Sequence, residues 1–278
     1  MRMVGRRLCL LALCALLLLN GCRKSTDAPI LEMICLGVGQ GSATLLRTAE
    51  GDILIDAGRE SGQDELCRRL AELGVERLAL LILTHPDEDH IGGADGILEQ
   101  LTIDDVWTNG DVAENESYES LVRTAREREI SLKTVRAGEE ITLGEMHLSV
   151  LSPFGELSGE ENEDSLVLLL RCRSFGALLM GDVGEAGESA ILEAYGGHLD
   201  VDVLCAGHHG ANTSTGVSLL EAASPGYAVI SCGAGNPYGH PDGRMLSRLQ
   251  DAGAVICRTD LEGDIAFSVY EDEFRRTD

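Results

Sequence analysis

The sequence is poor in basic residues. Its 278 residues include 22 Lys and Arg against 47 Asp and Glu, which gives a formal charge of −25 at pH 7. Because a surface this acidic repels polyanions over most of its area, it argues against extensive nucleic-acid binding, but it leaves room for a local phosphate site. The basic residues that concentrate between Arg123 and Arg136 are interspersed with acidic ones, as is typical of a solvated helix face.

Long apolar runs and paired-cysteine motifs are also missing. The N-terminal apolar run, Leu8 to Leu19, is too short for a comfortable transmembrane span. No C-x-x-C occurs, which argues against a zinc ribbon or a dithiol redox site. Since the chain also lacks a Pro/Gly-rich linker and an internal repeat, its alternation of strand and helix patterns predicts a single layered α/β domain.

The N-terminus has the pattern of an export signal. Three arginines precede the apolar run, and Asn20-Gly21-Cys22 ends it. This ending resembles a bacterial lipobox, in which Cys22 would carry the lipid; the alternative is an ordinary signal peptide or an uncleaved anchor with a chance cysteine. The segments that we expect are a signal peptide over residues 1–21, a tether over 22–29 and a hydrolase domain over 30–278. The domain would then lie outside the cytoplasm, anchored to the membrane as a lipoprotein, with a formal charge of −28 after cleavage.

Six cysteines lie beyond the expected lipidation site: Cys35, Cys67, Cys172, Cys205, Cys232 and Cys257. Five of the six fall in apolar, strand-like segments, where a free cysteine behaves as a small hydrophobic residue. Export would permit disulfides, but the sequence fixes no pairing.

The densest group of potential metal ligands follows a continuous apolar segment, Leu78 to Leu83, which predicts a strand buried on both faces. The four residues are His85, Asp87, Asp89 and His90. After them, Gly92-Gly93 lets the backbone turn sharply. A rigid strand that delivers imidazoles and carboxylates to one loop predicts a preorganised metal site. The alternative is a polar loop whose side chains bond to one another and to water.

This H-x-D-x-D-H cluster resembles the metal-binding motif of the metallo-β-lactamase fold, usually H-x-H-x-D-H. Asp87 stands in place of the second histidine, a form typical of the ComEC-type branch, the hydrolase domain associated with the competence DNA-uptake channel. The resemblance implies a four-layer αββα sandwich and a hydrolase that uses two divalent metal ions. Because Asp87 hardens the ligand set, the preference moves from Zn²⁺ toward Mn²⁺ without excluding zinc.

Other segments extend the resemblance from Leu31 to about Tyr270. The matching motifs are V-G-Q-G before Ser42, I-D-A-G with Asp56, N-x-x-S-L-V with Asn162 and Ser165, G-D with Asp182, G-H-H-G with His208 and His209, N-x-Y-G-H-P with His240, and the closing R-T-D. Gly37 and Ser42 depart from the family pattern, which has aspartate at both positions. We expect these two changes to alter loop polarity and not to remove a metal ligand.

The resemblance also implies a ligand set. His85, Asp87 and Asp182 would hold one ion, and Asp89, His90, Asp182 and His208 the other. A carboxylate suits the shared position because its two oxygens can each face one cation. The family's usual third histidine is missing, so Asn162 or a water would compensate; a solvated acidic loop is the alternative there.

The remaining site residues have more than one interpretation. We expect His208 to be a ligand and His209 to support the site or face the substrate, with the reverse assignment open. Asp56 either supports a ligand or caps a turn, and Ser165 is expected beside Asn162 behind the ligands. His240 is a proton donor, an additional ligand or an ordinary turn histidine. The catalytic assignment is Asp89, His209 and His240.

The resulting hypothesis is an exported, lipid-anchored hydrolase with two Mn²⁺ or Zn²⁺ ions, acting on a phosphodiester substrate with DNA as a candidate. Alternatives are a metal-binding scaffold without turnover and a hydrolase of lactones or β-lactams. The sequence includes no multi-span channel, so we expect the hydrolase module alone, and a role in DNA import cannot be inherited from the resemblance. No protein partner can be inferred.

Overall fold

The computed structural model of the protein describes residues 28–277. The expected signal peptide, the lipidation site Cys22 and most of the expected tether lie outside these residues. Within residues 28–277, no helix is both long enough and apolar enough to cross a membrane. Five cysteines of these residues are free thiols, namely Cys35, Cys67, Cys172, Cys205 and Cys232.

Strands and helices alternate along the described residues. The strands are β1 (Leu31–Cys35), β2 (Thr44–Thr48), β3 (Gly51–Ile55), β4 (Arg77–Leu78), β5 (Leu80–Leu83), β6 (Thr102–Ile103), β7 (Val106–Thr108), β8 (Leu132–Thr134), β9 (Glu140–Leu143), β10 (Met146–Ser152), β11 (Val167–Cys172), β12 (Phe175–Leu179), β13 (Val203–Cys205), β14 (Tyr227–Ile230), β15 (Val255–Arg258), β16 (Ile265–Val269) and β17 (Phe274–Arg276). The helices are α1 (Gln63–Glu72), α2 (Glu88–Ile91), α3 (Ala94–Gln100), α4 (Glu116–Glu127), α5 (Glu185–Tyr195), α6 (Val217–Ala223), α7 (Gly243–Asp251) and α8 (Thr259–Glu262). Short 3₁₀ turns occupy Glu60–Gly62, Gly196–His198 and Gly207–Gly210.

The strands form two large mixed sheets. The first has eight strands in the order β17-β16-β1-β2-β3-β5-β7-β8, and the second has seven in the order β15-β14-β13-β12-β11-β10-β9. A separate two-stranded pair joins β4 to β6.

Alternation along β5 shows how one strand serves two cores. Leu80 and Ile82 pack between the two sheets, whereas Leu81 and Leu83 pack against the helices outside the first sheet. Successive strand side chains point to opposite faces, so an unbroken apolar segment is what a doubly covered strand requires. The predicted continuous strand is nevertheless interrupted. Leu78 belongs to β4, and the Ala79 N–H donates to the Asp52 carbonyl.

Three apolar cores define the layers. The central core lies between the sheets and joins residues such as Met33 of β1 to Leu168 of β11. A second core packs α1, α3 and α4 on the first sheet, through residues such as Ile97 of α3. A third core packs α5, α6 and α7 on the second sheet, through residues such as Ile191 and Met245. This arrangement confirms the predicted four-layer αββα sandwich.

Parallel pairings bring the functional loops together. In the first sheet β3 and β5 run parallel, and in the second sheet β12, β13 and β14 do so. The carboxyl ends of parallel strands share one edge, which is where loops form ligand sites in α/β sheets. The loops after these strands carry Asp56, His85, Asp182 and His209.

Candidate metal centre

His85 enters the site directly from the end of β5. Its side chain is buried, and within the described residues its Nε2 atom has no hydrogen-bond partner. That Nε2 lies 3.6 Å from Asp87 Oδ2 and 3.9 Å from Asp182 Oδ2. Because an unsatisfied buried nitrogen is costly, its placement among carboxylates fits a metal ligand.

Asp56 orients His90. The Asp56 carboxylate lies 2.7 Å from His90 Nδ1 and accepts a hydrogen bond of 2.8 Å from the Thr84 N–H. The Thr84 hydroxyl donates to the same carboxylate at 3.0 Å. A carboxylate on one ring nitrogen fixes the proton there and leaves Nε2 free to bind a cation. Of the two interpretations of Asp56, its position behind the histidine is the one that the contacts favour.

Asp182 lies between the two sheets at the middle of the cluster. Its Oδ1 is 3.2 Å from His90 Nε2, and its Oδ2 is 3.5 Å from His209 Nε2. The backbone N–H of Asp182 donates to Ser165 Oγ at 3.2 Å, so Ser165 supports the loop that carries the carboxylate. Asp182 therefore has the position expected of a carboxylate shared by two ions.

His209, and not His208, lies nearest to the other donor atoms of the cluster. The His209 side chain is 4% exposed, and its Nε2 lies 3.1 Å from His90 Nε2 and 3.4 Å from Asp89 Oδ2. Its Nδ1 donates to the Ser231 carbonyl at 2.9 Å, which turns Nε2 toward the site.

His208 lies nearer the surface. Its side chain is 31% exposed, with Nε2 3.8 Å from Asp182 Oδ2. Both histidines are left-handed, with φ of 48° and 52°, so the tight turn sends the second ring inward. The geometry therefore favours His209 over His208 as the ligand, which is the reverse assignment that the sequence left open.

Two groups of donor atoms are compact enough to hold an ion. One comprises His85, His90 and Asp182 and the other Asp89, His90 and His209, with the donor atoms of each group within 4.8 Å of one another. Since one imidazole nitrogen binds one ion, His90 can serve only one of them. If His90 serves the group with Asp89 and His209, then Asp87, next to His85, is the remaining donor for the group with His85 and Asp182.

The charged groups of the cluster shift one another's pKa values. Burial alone would raise the pKa of Asp182, but the imidazoles of His209 and His90 outweigh it and hold that pKa well below its usual range. Burial likewise opposes a charge on His90, yet Asp182 and Asp56 raise its pKa well above the ordinary value. In Asp89, burial is outweighed by His209 and His90, which lower the pKa to about 2. Ionised carboxylates that draw protons onto imidazoles offer the same negative field to a divalent cation, so the residues fit a metal pair.

A groove of about 550 Å³ opens beside the cluster. Its polar lining comprises Asp87, Glu160, Glu161, Asn162, Glu163, Asp182, His208 and Thr213. The Asn162 amide nitrogen lies 3.4 Å from His208 Nδ1, so Asn162 contacts the outer histidine. That Asn162 or a water takes the place of the missing histidine stays a prediction. The charge of Asp87 raises the pKa of Glu161, because the two carboxylates repel each other.

His240 lies at the rim of the site. Its ring packs edge-on against His208 with the ring centroids 5.6 Å apart, and its Nδ1 is buried without a partner among the described residues. Burial lowers the pKa of His240, as do the neighbouring His208 and His209. A neutral imidazole at the rim suits proton transfer or an added ligand, two of the interpretations already considered.

Two residues that the sequence reasoning missed also belong to the rim. Arg59 Nη2 lies 3.8 Å from Asp89 Oδ2 and donates to the Tyr238 hydroxyl at 3.2 Å. Their positions in sequence were available as a signal, because Arg59 directly follows Asp56-Ala57-Gly58 and Tyr238 lies inside N-x-Y-G-H-P.

Comparison with known proteins agrees with this architecture. The family profile of the Metallo-beta-lactamase superfamily matches residues 36–234, which is most of the chain. The chain belongs to the metallo-beta-lactamase superfamily. Members of this superfamily are generally metal-dependent hydrolases.

Two curated relatives are competence-type proteins. ComE operon protein 3 of Bacillus subtilis (strain 168) is 31% identical over 255 residues, which cover 85% of this chain and 33% of that protein. Competence protein ComA of Neisseria gonorrhoeae is 32% identical over 234 residues, covering 83% of this chain and 31% of that protein. The resemblance to ComEC-type proteins is therefore confirmed, and the chain spans about a third of the length of these relatives.

A solved structure shares the fold. The metallo-beta-lactamase fold protein YhfI from Bacillus subtilis aligns with a TM-score of 0.54 and 11% sequence identity, covering 82% of this chain and 95% of that one. At this identity the match shows a common fold alone.

Proposed function

We propose that this protein hydrolyses phosphodiesters with two divalent cations held between its two sheets. The observation that carries the proposal is the buried convergence of imidazole nitrogens on the Asp182 carboxylate, with His85 Nε2 aimed at it and lacking a protein partner. Such a group is costly in a folded protein unless it binds something, and the donor set suits a cation.

The ligand assignment follows the positions of the donor atoms. The first ion would be held by His85, Asp87 and Asp182. The second would be held by Asp89, His90, Asp182 and His209, with His209 replacing the His208 of the initial expectation. Three of these six side chains are carboxylates, and oxygen donors favour Mn²⁺ relative to an all-histidine site, with Zn²⁺ the alternative.

Divalent cations bound in this way polarise the substrate and lower the pKa of a water molecule toward neutrality. The chain itself fixes the protons around them. Asp56 holds a proton at His90 Nδ1, and the Ser231 carbonyl holds one at His209 Nδ1, so Nε2 is the nitrogen that each ring would offer to a cation. Burial keeps His240 neutral at pH 7, where it can accept a proton at the rim.

The substrate class draws its support from the relatives and the donor set. One curated relative is named as a competence protein, and the resemblance is to a branch associated with DNA uptake, which makes DNA a candidate substrate. The acidic groove opposes that choice, because Glu160, Glu161 and Glu163 would repel a long polyanion. A phosphodiester of limited charge satisfies both observations, and cleavage of long DNA would need local help from basic residues.

The position of the protein in the cell is a separate part of the proposal. We place it outside the cytoplasm, with residues 1–21 removed and a lipid on Cys22. Labelling with a radioactive fatty acid tests this directly: wild type should take up label and enter the detergent phase, and Cys22→Ala should do neither. Unlabelled wild type would leave an ordinary signal peptide or an uncleaved anchor as the explanation.

The activity is tested with the purified protein and bis-p-nitrophenyl phosphate, with Mn²⁺ and Zn²⁺ supplied in parallel. We expect metal-dependent turnover that Asp89→Ala abolishes and that Asp272→Ala, at an exposed position far along the chain, leaves unchanged. Tight metal binding without turnover on phosphodiesters, lactones or β-lactams would favour the scaffold alternative. Turnover confined to lactones or β-lactams would favour the alternative of a lactone or β-lactam hydrolase. A protein that binds no cation when supplied with either metal would contradict the proposal entirely.

A further inference from the structure

Arg59 has a fixed backbone beside the ligand loop. The Gly93 N–H donates to the Gly58 carbonyl at 3.2 Å, and a Cβ at Gly92 would lie only 2.7 Å from the carbonyl carbon of Arg59. The two loops can approach this closely only because position 92 is glycine. The start of the Arg59 side chain is therefore as well defined as the metal ligands on α2.

The guanidinium group of Arg59 is poorly satisfied by protein. It donates to the Tyr238 hydroxyl at 3.2 Å, whereas its distance of 3.8 Å to Asp89 Oδ2 is too long for a hydrogen bond. Its Nε is buried without a partner among residues 28–277, although the side chain as a whole is 27% exposed. An arginine carries five N–H donors, so most of them remain available to a ligand at the site.

Arg59 carries a positive charge at a strongly acidic site and does not line the acidic groove. That groove carries Glu160 and Glu161 next to Asp87, in a chain whose formal charge is −25. Asp89 itself is engaged by His209 at 3.4 Å, and as a metal ligand it would not neutralise the arginine fully. A positive charge with a planar fork is thus presented at one rim of a negative site, the geometry that recognises phosphate oxygens.

Tyr238 links this arginine to the rest of the rim. The Tyr238 ring stacks on His240 with the centroids 5.7 Å apart, and its backbone N–H donates to Asn236 Oδ1 at 3.1 Å. The ring is 58% exposed, so burial does not explain its position. Its hydroxyl and its face both serve to place neighbouring polar groups.

We propose that Arg59 binds the anionic oxygens of the substrate beside Asp89, with Tyr238 as the residue that positions the guanidinium group. The inference rests on the proposed function, since it assigns the substrate-binding side of the same metal site. It adds that recognition depends on an anionic group placed on the Asp89 side, away from the acidic groove.

The test measures the binding of inorganic phosphate to the manganese-loaded protein by calorimetry, which needs no turnover. Arg59→Gln should weaken phosphate binding about ten- to hundredfold, because a charge-assisted hydrogen bond is lost. Arg59→Lys, which keeps the charge and loses the fork, should weaken it less than about tenfold. Arg68→Gln removes the same charge from an exposed ion pair on α1 and should have no effect.

Four outcomes of the binding experiment would contradict the inference. Phosphate binding by Arg59→Gln at the wild-type level would do so, and so would equal losses in the Gln and Lys variants together with a lowered Tm, which would indicate a structural role. Loss of manganese in Arg59→Gln would show that Arg59 acts by keeping Asp89 in place and not by binding phosphate. Failure of the wild type to bind phosphate would overturn it as well. If phosphate binds through Arg59 but no diester is cleaved, this inference stands and the proposed function falls.

Tyr238→Phe separates positioning from binding. It removes one hydroxyl and keeps the ring, so with bis-p-nitrophenyl phosphate we expect KM to rise several-fold, roughly the worth of one hydrogen bond, while kcat stays within about twofold. An unchanged KM would show that Tyr238 does not position Arg59.

Discussion

The two sheets contribute to the metal centre in different ways. The first sheet supplies one contiguous loop after β5, and the turn of α2 sets its geometry locally, with the His90 N–H donating to the Asp87 carbonyl at 2.9 Å. The second sheet supplies Asp182 and His209 from loops after two separate strands, which meet only because β12 and β13 pair in parallel. The candidate ligands from the first sheet can therefore be predicted from a sequence motif, whereas those from the second sheet depend on tertiary placement.

The Asp182 carboxylate faces histidines from both sheets, so removal of its charge should have the largest effect on activity. Asp182→Asn keeps the volume and removes the charge that His90 and His209 face. We expect phosphodiester hydrolysis to fall by more than about 100-fold, above the range typical of residues that act only through a ligand. The control is Asp272→Asn, the same change at an exposed position. Activity within tenfold of wild type would mean that the carboxylate is not shared by two ions.

A comparison of the two adjacent histidines tests which of them is the metal ligand from the second sheet. His209→Ala should lower activity by roughly 100-fold and reduce the bound metal from two ions to one, because a buried ligand is lost. His208→Ala should lower activity by only about tenfold with the metal retained, since His208 lies at the groove. Metal analysis of both variants decides the assignment, and the opposite ranking would restore His208 as the ligand.

Among the residues of the first sheet, Asp56 is expected to affect metal binding through His90. Asp56→Asn can no longer fix the His90 proton as a carboxylate does, and we expect metal affinity to fall about 10- to 100-fold. Asp52→Asn is the matched control, since Asp52 lies on β3, the strand that leads to Asp56, and pairs with Arg47 at 3.3 Å. Unchanged affinity in Asp56→Asn would reduce Asp56 to a turn residue.

Glu188 of α5 supports the histidine turn from behind. Its carboxylate accepts hydrogen bonds from the N–H groups of Thr215 and Gly216, and the Thr215 hydroxyl accepts from the Gly207 N–H at 3.1 Å. Burial raises the pKa of Glu188 from 4.5 to about 7, although these N–H groups act to lower it. A raised folded-state pKa means that the folded state holds the proton more tightly, so this stabilisation is complete below pH 4.5 and is lost as the pH rises toward 7.

The corresponding change in the free energy of unfolding is about 2–3 kcal/mol between those pH values. Glu188→Gln should flatten this pH dependence and lower stability at pH 7 by about 1–2 kcal/mol, because an amide nitrogen cannot accept from both N–H groups. Urea unfolding at several pH values measures it, with exposed Glu193→Gln as the control on the same helix. An identical pH profile in Glu188→Gln would exclude Glu188 as the titrating group.

The smallest effect is expected from the basic interval. Arg128 donates to the Leu98 carbonyl at 3.1 Å and Arg136 to the Asn109 carbonyl at 2.6 Å, so these two are engaged with the protein itself. Arg123 and Arg126 lie exposed on α4, whose first residues are tied to the ligand loop by Asn115, which donates to the Pro86 carbonyl at 3.0 Å.

If long DNA is a substrate, Arg123→Glu with Arg126→Glu should reduce its cleavage several-fold, and any such cleavage should fall steeply with added salt. Hydrolysis of bis-p-nitrophenyl phosphate should not change. Equal loss on both substrates would indicate a folding defect. No loss on either would show that the interval is only a solvated helix face.

The fold was predictable wherever apolar spacing reported burial. The apolar segment of β5 identified a strand covered on both faces, and the four layers followed from the resemblance. Helix α5 was not predicted, because its buried face includes the charged Glu188 and its apolar spacing is correspondingly weak. The division of Leu78 to Leu83 into two strands was also missed, since it depends on a backbone bond from Ala79 to Asp52.

The site was predictable in its residue types and less so in its geometry. The sequence identified Asp182 and the His208-His209 pair as candidates. Which ring points inward depends on two consecutive left-handed residues, and nothing in the residue types requires that conformation. Arg59 was missed for a related reason, because its neighbour Tyr238 comes from a loop far along the chain.

The most direct test of the account is the anomalous scattering of manganese in crystals of the metal-loaded protein. We predict two peaks between the sheets, both within bonding distance of Asp182, with His209 Nε2 beside one and His85 Nε2 beside the other. No peak at this position, or a single peak that does not contact Asp182, would contradict the claim that the two sheets together hold a pair of metal ions.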